Sequence, residues 1–171
     1  MAGLAALLLA GCGSAAGGIP TQALEVSARD AYLEARSGAR AWDGDSALRY
    51  VEGDGIGARG LAAPEAGVWR FHYTAPGRTQ ALVVEVAALE TASAERAPTS
   101  PPGYVIGDNV LDGSWVDSPE AVAAIAEAGG GPVAPLSFLL VPTEPEQWVV
   151  RSGDGGTRWR VDARTGELLA P

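Results

Sequence analysis

The chain of 171 residues contains no lysine, one cysteine (Cys12) and one histidine (His72), and all 12 of its basic residues are arginine. The absence of lysine excludes lysine nucleophiles and P-loop phosphate binding. A single cysteine excludes an intrachain disulfide, and one histidine excludes a metal site built from several histidines. We therefore expect no catalytic residues, no cofactor and no metal, and we expect that the protein is not an enzyme.

Acidic side chains outnumber basic ones by 21 to 12, which gives a formal net charge of −9. Binding to the phosphates of nucleic acids requires clustered basic residues, whereas these arginines are scattered singly from Arg29 to Arg164. A nucleic-acid partner is therefore not expected. The hydrophobic fraction of 47% is typical of a folded chain and not of an acidic disordered one.

The N-terminus begins with an apolar run from Gly3 to Ala10. A run of about eight residues is too short for a membrane span, which needs roughly 20, but it has the length of a signal-peptide h-region. The sequence Leu9-Ala10-Gly11-Cys12 resembles the lipobox of bacterial lipoproteins. The resemblance implies that residues 1–11 are a removed signal peptide, and that Cys12 carries diacylglycerol and anchors the protein in the cell envelope, at the outer membrane or cell surface. The alternative is a buried free cysteine beside an apolar N-terminal helix.

The rest of the chain divides into two halves. Residues 12–20 form a Gly/Ser-type tether, residues 21–96 a first unit, residues 97–103 a proline-rich linker and residues 104–171 a second unit. In the first unit, apolar positions from Thr21 onward recur at helical spacing, which predicts a helix that ends near Ser37-Gly38. Extended segments at 47–52, 68–73 and 80–86 then predict three strands.

The second unit repeats this order. Ser118 as N-cap and Pro119 predict the start of a helix, and segments at 135–141, 147–151 and 157–162 predict three strands. Trp69 and Trp148 align about 79 positions apart, as do the strands that follow them. The sequence therefore predicts an α+β fold of two helix-plus-antiparallel-sheet units that arose by internal duplication.

The C-terminal run resembles the last hairpin of PepSY-type domains, in which a strand led by an aromatic residue pairs with one that ends in Val-Asp-x-x-Thr-Gly-Glu. Here the corresponding residues are Trp148 on the first strand and Val161 to Leu168 on the second, and the likeness extends over about residues 118–171. The resemblance implies a secreted or membrane-tethered protein of the bacterial envelope. Some PepSY proteins act as peptidase propeptides or inhibitors. We expect a lipid-anchored, non-catalytic protein-binding or peptidase-inhibitory module that acts through a sheet edge or concave face. Its expected partners are the membrane, through diacylglycerol on Cys12, and an envelope peptidase or other protein. The alternative is a structural envelope lipoprotein with no specific ligand.

The same hairpin has a structural interpretation. Strand alternation places Trp148 and Val150 on one face, and Trp159 and Val161 opposite them, where they can pack on the helix. The side chains of Asp162 and Thr165 are expected to bond the turn backbone, and Gly166 to take a positive φ.

Three other features carry less weight. The Gly55 to Gly60 segment matches a dinucleotide-binding pattern, but Pro64 and Gly67 prevent the helix that such a site needs, so we expect a strand connection. The acidic turns at 43–46 and 108–113 fail the EF-hand pattern and are expected to be solvated. His72 alternates with Phe71 and Tyr73, which predicts that it faces solvent.

Overall fold

The computed structural model describes residues 25–87 and 90–170. These residues form two helices and a seven-stranded antiparallel sheet, which confirms the expected α+β class. The elements in chain order are α1 (Ala28–Trp42), β1 (Ala47–Ile56), β2 (Val68–Thr74), β3 (Ala81–Val86), β4 (Thr91–Arg96), α2 (Ser118–Glu127), β5 (Leu136–Val141), β6 (Gln147–Arg151) and β7 (Arg158–Asp162).

Both halves of the chain contribute to one sheet, whose strand order is β4-β3-β2-β1-β5-β6-β7. The halves meet where β1 pairs antiparallel with β5, with Val51 opposite Leu140. From this central pair, each half continues outward through hairpin-connected strands in sequence order. The arrangement of the strands is therefore nearly symmetric about the β1–β5 pair.

The first helix differs from its predicted bounds. Residues 21–24, where the helix was predicted to begin, lie outside the described residues, and Val26 pairs as an isolated bridge with Ala62. The helix begins at Ala28 because the Ser27 side chain caps it, accepting a bond from Asp30 N at 3.2 Å. It also runs on to Trp42, past the predicted end near Gly38, since the buried stripe continues through Ala39.

The second helix begins one residue earlier than predicted, so its N-cap is Asp117 and not Ser118. Asp117 and Glu120 form a capping box, in which the side chain of each residue accepts a bond from the backbone N–H of the other. Ser118 has a different role, because its hydroxyl accepts a bond from Ala28 N at 3.0 Å. Asp117 Oδ1 also accepts a bond from Arg29 N at 2.9 Å. The N-terminus of α1 is thus capped by Ser27 and also bonded by two residues of the other half.

One face of the sheet packs against both helices and forms the main core. Trp69 and Trp148 are fully buried there, and Phe138 lies between them in edge-to-face contacts at 5.5 and 5.7 Å. Their indole N–H groups have equivalent partners: Trp69 donates to Val26 O at 3.0 Å and Trp148 to Val116 O at 2.8 Å. Each carbonyl belongs to the chain just before a helix, so each tryptophan fixes the entry to the helix of its own half.

The strand predictions are confirmed in position, with one omission. The structure adds β4, which pairs along its full length with β3 from Val86↔Thr91 to Ala81↔Arg96. Its sequence, TASAER, has small and charged side chains with little intrinsic preference for strands. The first half therefore holds four strands instead of the predicted three.

The packing of the C-terminal hairpin is as predicted. Trp148 lies opposite Val161 and Val150 opposite Trp159, and all but Trp159 are fully buried. These cross-strand pairs join the main core under α2.

The turn that follows also forms the predicted bonds. Asp162 Oδ1 accepts from the N–H groups of Arg164 at 2.7 Å and Thr165 at 3.0 Å. Thr165 Oγ1 accepts from Glu167 N at 3.2 Å, and Gly166 has a φ of 78°.

The connection from β1 to β2 contains no helix, in agreement with the exclusion of a dinucleotide site. Gly55 has a φ of 67°, and a Cβ there would lie 1.9 Å from Ala66 O. This glycine is therefore required by the close approach of two backbone segments and has no need of a bound phosphate to explain it.

Candidate functional site

The two edges of the sheet differ in how their backbone groups are used. At one edge, all six residues of β4 are exposed, and within the described residues no strand pairs with its outer side. An edge of this kind presents a row of free N–H and C=O groups to which another chain can add. β4 is held to the molecule by β3 and by a bond from Trp42 Nε1 to Glu95 Oε1 at 2.6 Å.

At the other edge, the chain's own C-terminal segment covers part of β7. Asp162 N donates to Glu167 O at 2.7 Å, and Leu169 N donates to Arg160 O at 2.8 Å. The Arg160 guanidinium also donates to Ala170 O. Of the two edges, β4 is thus the one left open along its whole length.

The face of the sheet opposite the helices carries a network of ion pairs in its first half. Arg70 bridges Asp54 and Glu85, and Arg96 lies 3.7 Å from Glu85. Since Glu85 is on β3, next to β4, these charges extend to the open edge. Arg70 and Glu85 are half-buried, whereas Asp54 and Arg96 are exposed, so the network contributes mainly to the surface charge.

His72 lies on this same face but does not face solvent, so that prediction is wrong. Its ring stacks on Tyr50 at 3.9 Å, its Nε2 lies 3.0 Å from Glu52 Oε2, and only 9% of the residue is exposed. The bond from His72 lowers the pKa of Glu52, burial opposes that shift, and the charge of Arg70 assists it. Alternation placed His72 correctly on the face away from the helices; the error was to assume that this face is open to water.

Residues 97–108, which include the predicted linker, cover the stacked rings of Tyr50 and His72. Thr99 Oγ1 lies 2.8 Å from the hydroxyl of Tyr50, and the Arg49 side chain donates to Gly107 O. Ile106 packs with Tyr50 and Val141 in a second, smaller cluster. The segment therefore connects the two halves and also packs across their shared sheet.

The residue singled out for lipidation, Cys12, lies outside the described residues, as do the predicted signal peptide and most of the tether. Among the residues that the structure describes, no helix is long and apolar enough to cross a membrane. In that same part of the chain, no three His, Cys, Asp or Glu side chains are grouped so that they could hold a metal ion.

The sequence did not point to β4 as a functional element. The segment TASAER has no apolar alternation, and Glu85 and Arg96 come together only in the folded sheet. Neither a protein-family model, nor a curated protein, nor a solved structure matches the chain.

Proposed function

We propose that this chain is a lipid-anchored protein of the bacterial cell envelope that binds another protein by strand addition at β4. It acts as a non-catalytic protein-binding or peptidase-inhibitory module. The observation that carries the proposal is the β4 edge, whose six residues are all exposed and whose outer side is unpaired within the described residues. An extended segment that adds to such an edge gains main-chain hydrogen bonds along its whole length.

The anchor rests on the sequence Leu9-Ala10-Gly11-Cys12, in which diacylglycerol would join the thiol of the only cysteine. Two acyl chains give stable attachment, at about 0.8 kcal/mol for each buried CH₂. The glycine-rich residues 13–18 would then place the folded body away from the lipid surface, at the outer membrane or cell surface.

The charge of the chain favours a different protein over a second copy as the occupant of the edge. Each copy carries a net charge of −9, so two copies repel each other. Glu95 points to the helix side of β4, where Trp42 bonds it, and Arg96 is drawn toward Glu85. The segment that fits is therefore an extended one with small and neutral or basic side chains.

We also infer that the two halves descend from one PepSY-like unit by duplication. The near-symmetric strand order supports this inference, as do the matching bonds of Trp69 and Trp148 to the chain before each helix. These tryptophans are the residues that the sequence alignment of the halves placed together.

The anchor is tested by substituting Cys12→Ala in the full chain, with Ser14→Ala as the control. The parent and the control should fractionate with membranes and show globomycin-sensitive processing, and intact-mass measurement should find a diacylglyceryl group at the N-terminus. Cys12→Ala should appear in the soluble fraction. A Cys12→Ala protein that still fractionates with membranes would refute the lipid attachment.

The binding edge is tested by a photo-crosslinking amino acid placed at Ser93, in the middle of β4, in the lipidated protein in cells. Leu33 on α1, which is 61% exposed, is the matched control position. We expect one stoichiometric heterologous adduct from Ser93 and none from Leu33. An adduct of twice the chain mass would identify a second copy instead. Equal labelling from both positions, or none from Ser93, would favour a structural envelope lipoprotein with no specific ligand.

A further inference from the structure

A cavity of about 300 Å³ lies between the second half of α1, the turn into β1, and β2. Its lining is mostly polar, and α1 contributes side chains to it at a spacing of four residues. The side chains that matter to the argument are Tyr32, Arg36 and Arg40 of α1, Ser46 of the turn, Tyr73 of β2, and Leu111.

The cavity is positively charged in a chain that is otherwise acidic. Arg36 and Arg40 lie one helical turn apart, where like charges repel each other. Among the described residues neither forms an ion pair with a carboxylate, and no carboxylate lines the cavity. The carboxylate of the nearby Asp43 is already paired with Arg78, whose Nε lies 3.2 Å from Asp43 Oδ2. Two exposed arginines, neither paired with a carboxylate within the described residues, therefore line the same cavity.

The hydroxyl of Tyr73 gives an independent indication of a ligand. Tyr73 lines the cavity and is only 3% exposed, yet within the described residues its hydroxyl has no hydrogen-bond partner. Leaving a buried polar group unpaired is costly, and the comparable buried hydroxyl of Tyr50 does have a partner, Thr99, at 2.8 Å.

The ionisation of this hydroxyl suits a donor. A tyrosine hydroxyl keeps its proton at neutral pH. Burial raises the pKa of Tyr73 above its usual value, and the nearby Tyr32 raises the same pKa further. Arg36 acts in the opposite direction on the same pKa, as a cation close to the hydroxyl must. A neutral donor and a cation thus line the same cavity.

We propose that this cavity binds the oxyanion group, phosphate or carboxylate, of a small molecule. Arg36 and Arg40 neutralise the charge of the anion, as guanidinium groups do in phosphate and carboxylate sites, and the Tyr73 hydroxyl donates to one of its oxygens. The volume is at the lower end of the range for small-molecule sites and exceeds that of a bare anion. The site uses neither β4 nor Cys12 and does not rest on the proposed function.

The test is calorimetric titration of the full chain, carrying Cys12→Ala for solubility, with inorganic phosphate and with succinate at constant ionic strength. We expect saturable binding of at least one of the two with a Kd below about 1 mM. The tighter of the two identifies the oxyanion chemistry. Absence of saturable heat with both up to about ten times that concentration would overturn the proposal.

Three variants locate the site. Arg36→Gln should weaken binding at least tenfold, whereas Arg151→Gln, an exposed arginine on β6, should leave it unchanged. Equal losses in these two would mean non-specific charge attraction and would overturn the assignment. Tyr73→Phe should weaken binding about fivefold while leaving the melting temperature of the ligand-free protein unchanged or raised, since the orphan hydroxyl is removed. Unchanged affinity in Tyr73→Phe would show that the Tyr73 hydroxyl does not donate to the bound anion.

Discussion

At one end of the sheet, β4 adds six exposed residues to β3, whereas at the other end only residues 167–169 fold back along β7. The inner strands of the two halves are otherwise arranged alike, and Trp69 and Trp148 make matching bonds at matching places. The difference lies where each half ends. A short return segment uses up edge groups of its own sheet, while a full extra strand presents a new edge that is longer and open.

The two halves also differ on the face away from the helices. In the first half this face carries the half-buried Glu52, which is bonded to the buried His72. In the second half, the position that aligns with His72 is held by the exposed Arg151. The two halves therefore share the packing of their core tryptophans but differ on the face away from the helices.

The strongest test of the comparison is the pair Trp69→Phe and Trp148→Phe. Each removes one indole N–H bond and leaves a cavity in the main core, so each should lower the free energy of unfolding by about 2–3 kcal/mol. Urea denaturation followed by circular dichroism measures both. Trp42→Phe, at a partly exposed site, is the control and should cost under about 1 kcal/mol. Costs that differ by more than about 2 kcal/mol between the two core variants would show that the halves are not energetically equivalent.

The next largest effect is expected at the residue that joins the halves. Asp117 caps α2 and also accepts from Arg29 N of α1, so Asp117→Ala removes bonds from both helices and should cost about 2 kcal/mol. Ser27 caps α1 alone, and Ser27→Ala should cost about half as much. The same denaturation assay decides the matter. If the two costs are equal, the contact of Asp117 with α1 contributes nothing.

Opening the closed edge is expected to make the two edges alike. Leu169→Pro removes the N–H that bonds Arg160 O, at a cost of about 1–2 kcal/mol. The return segment should then detach from β7, so that the amide hydrogen of Asp162, which bonds Glu167 O in the parent, exchanges faster; hydrogen–deuterium exchange detects this. Ala170→Pro is the control, because within the described residues its nitrogen donates no bond. A Leu169→Pro protein in which Asp162 exchanges as slowly as in the parent would show that the return segment is not what protects β7.

The smallest effect concerns the acid side of stability. Folding lowers the pKa of Glu52 below its usual 4.5, so its contribution is present above that pH and is lost as the pH falls through the lowered value. Glu52→Gln should therefore show a smaller loss of stability than the parent below about pH 4.5, by under about 1 kcal/mol. Urea midpoints across this range provide the measurement. Glu127→Gln, at an exposed site on α2, should behave like the parent; equal behaviour of Glu52→Gln would contradict the assignment.

The sequence was informative where side-chain pattern decides the structure. Alternation located β1, β2, β3, β5, β6 and β7 because their apolar residues face one core. It missed β4, since a strand covered on neither face has no apolar alternation to detect. It also misjudged His72, because residues 97–108 cover the second face through contacts far apart in sequence. The cavity at Arg36 and Tyr73 escaped notice for the same reason: its residues come from α1 and β2, which only the fold brings together.

The contacts between the start of α1 and the second half have a consequence for the order in which the chain folds. The first residues of α1 obtain bonds from Ser118 and Asp117, about 90 positions later in the chain, and β1 gains its second neighbour only when β5 arrives. A first half without the second thus lacks these bonds to α1 and the second neighbour of β1, and keeps only the Ser27 cap and the pairing of β1 with β2. Contacts this distant in sequence slow folding, because a long loop must close before they form. We therefore expect the body to stay unfolded until most of its length has been synthesised, and then to fold as one cooperative unit.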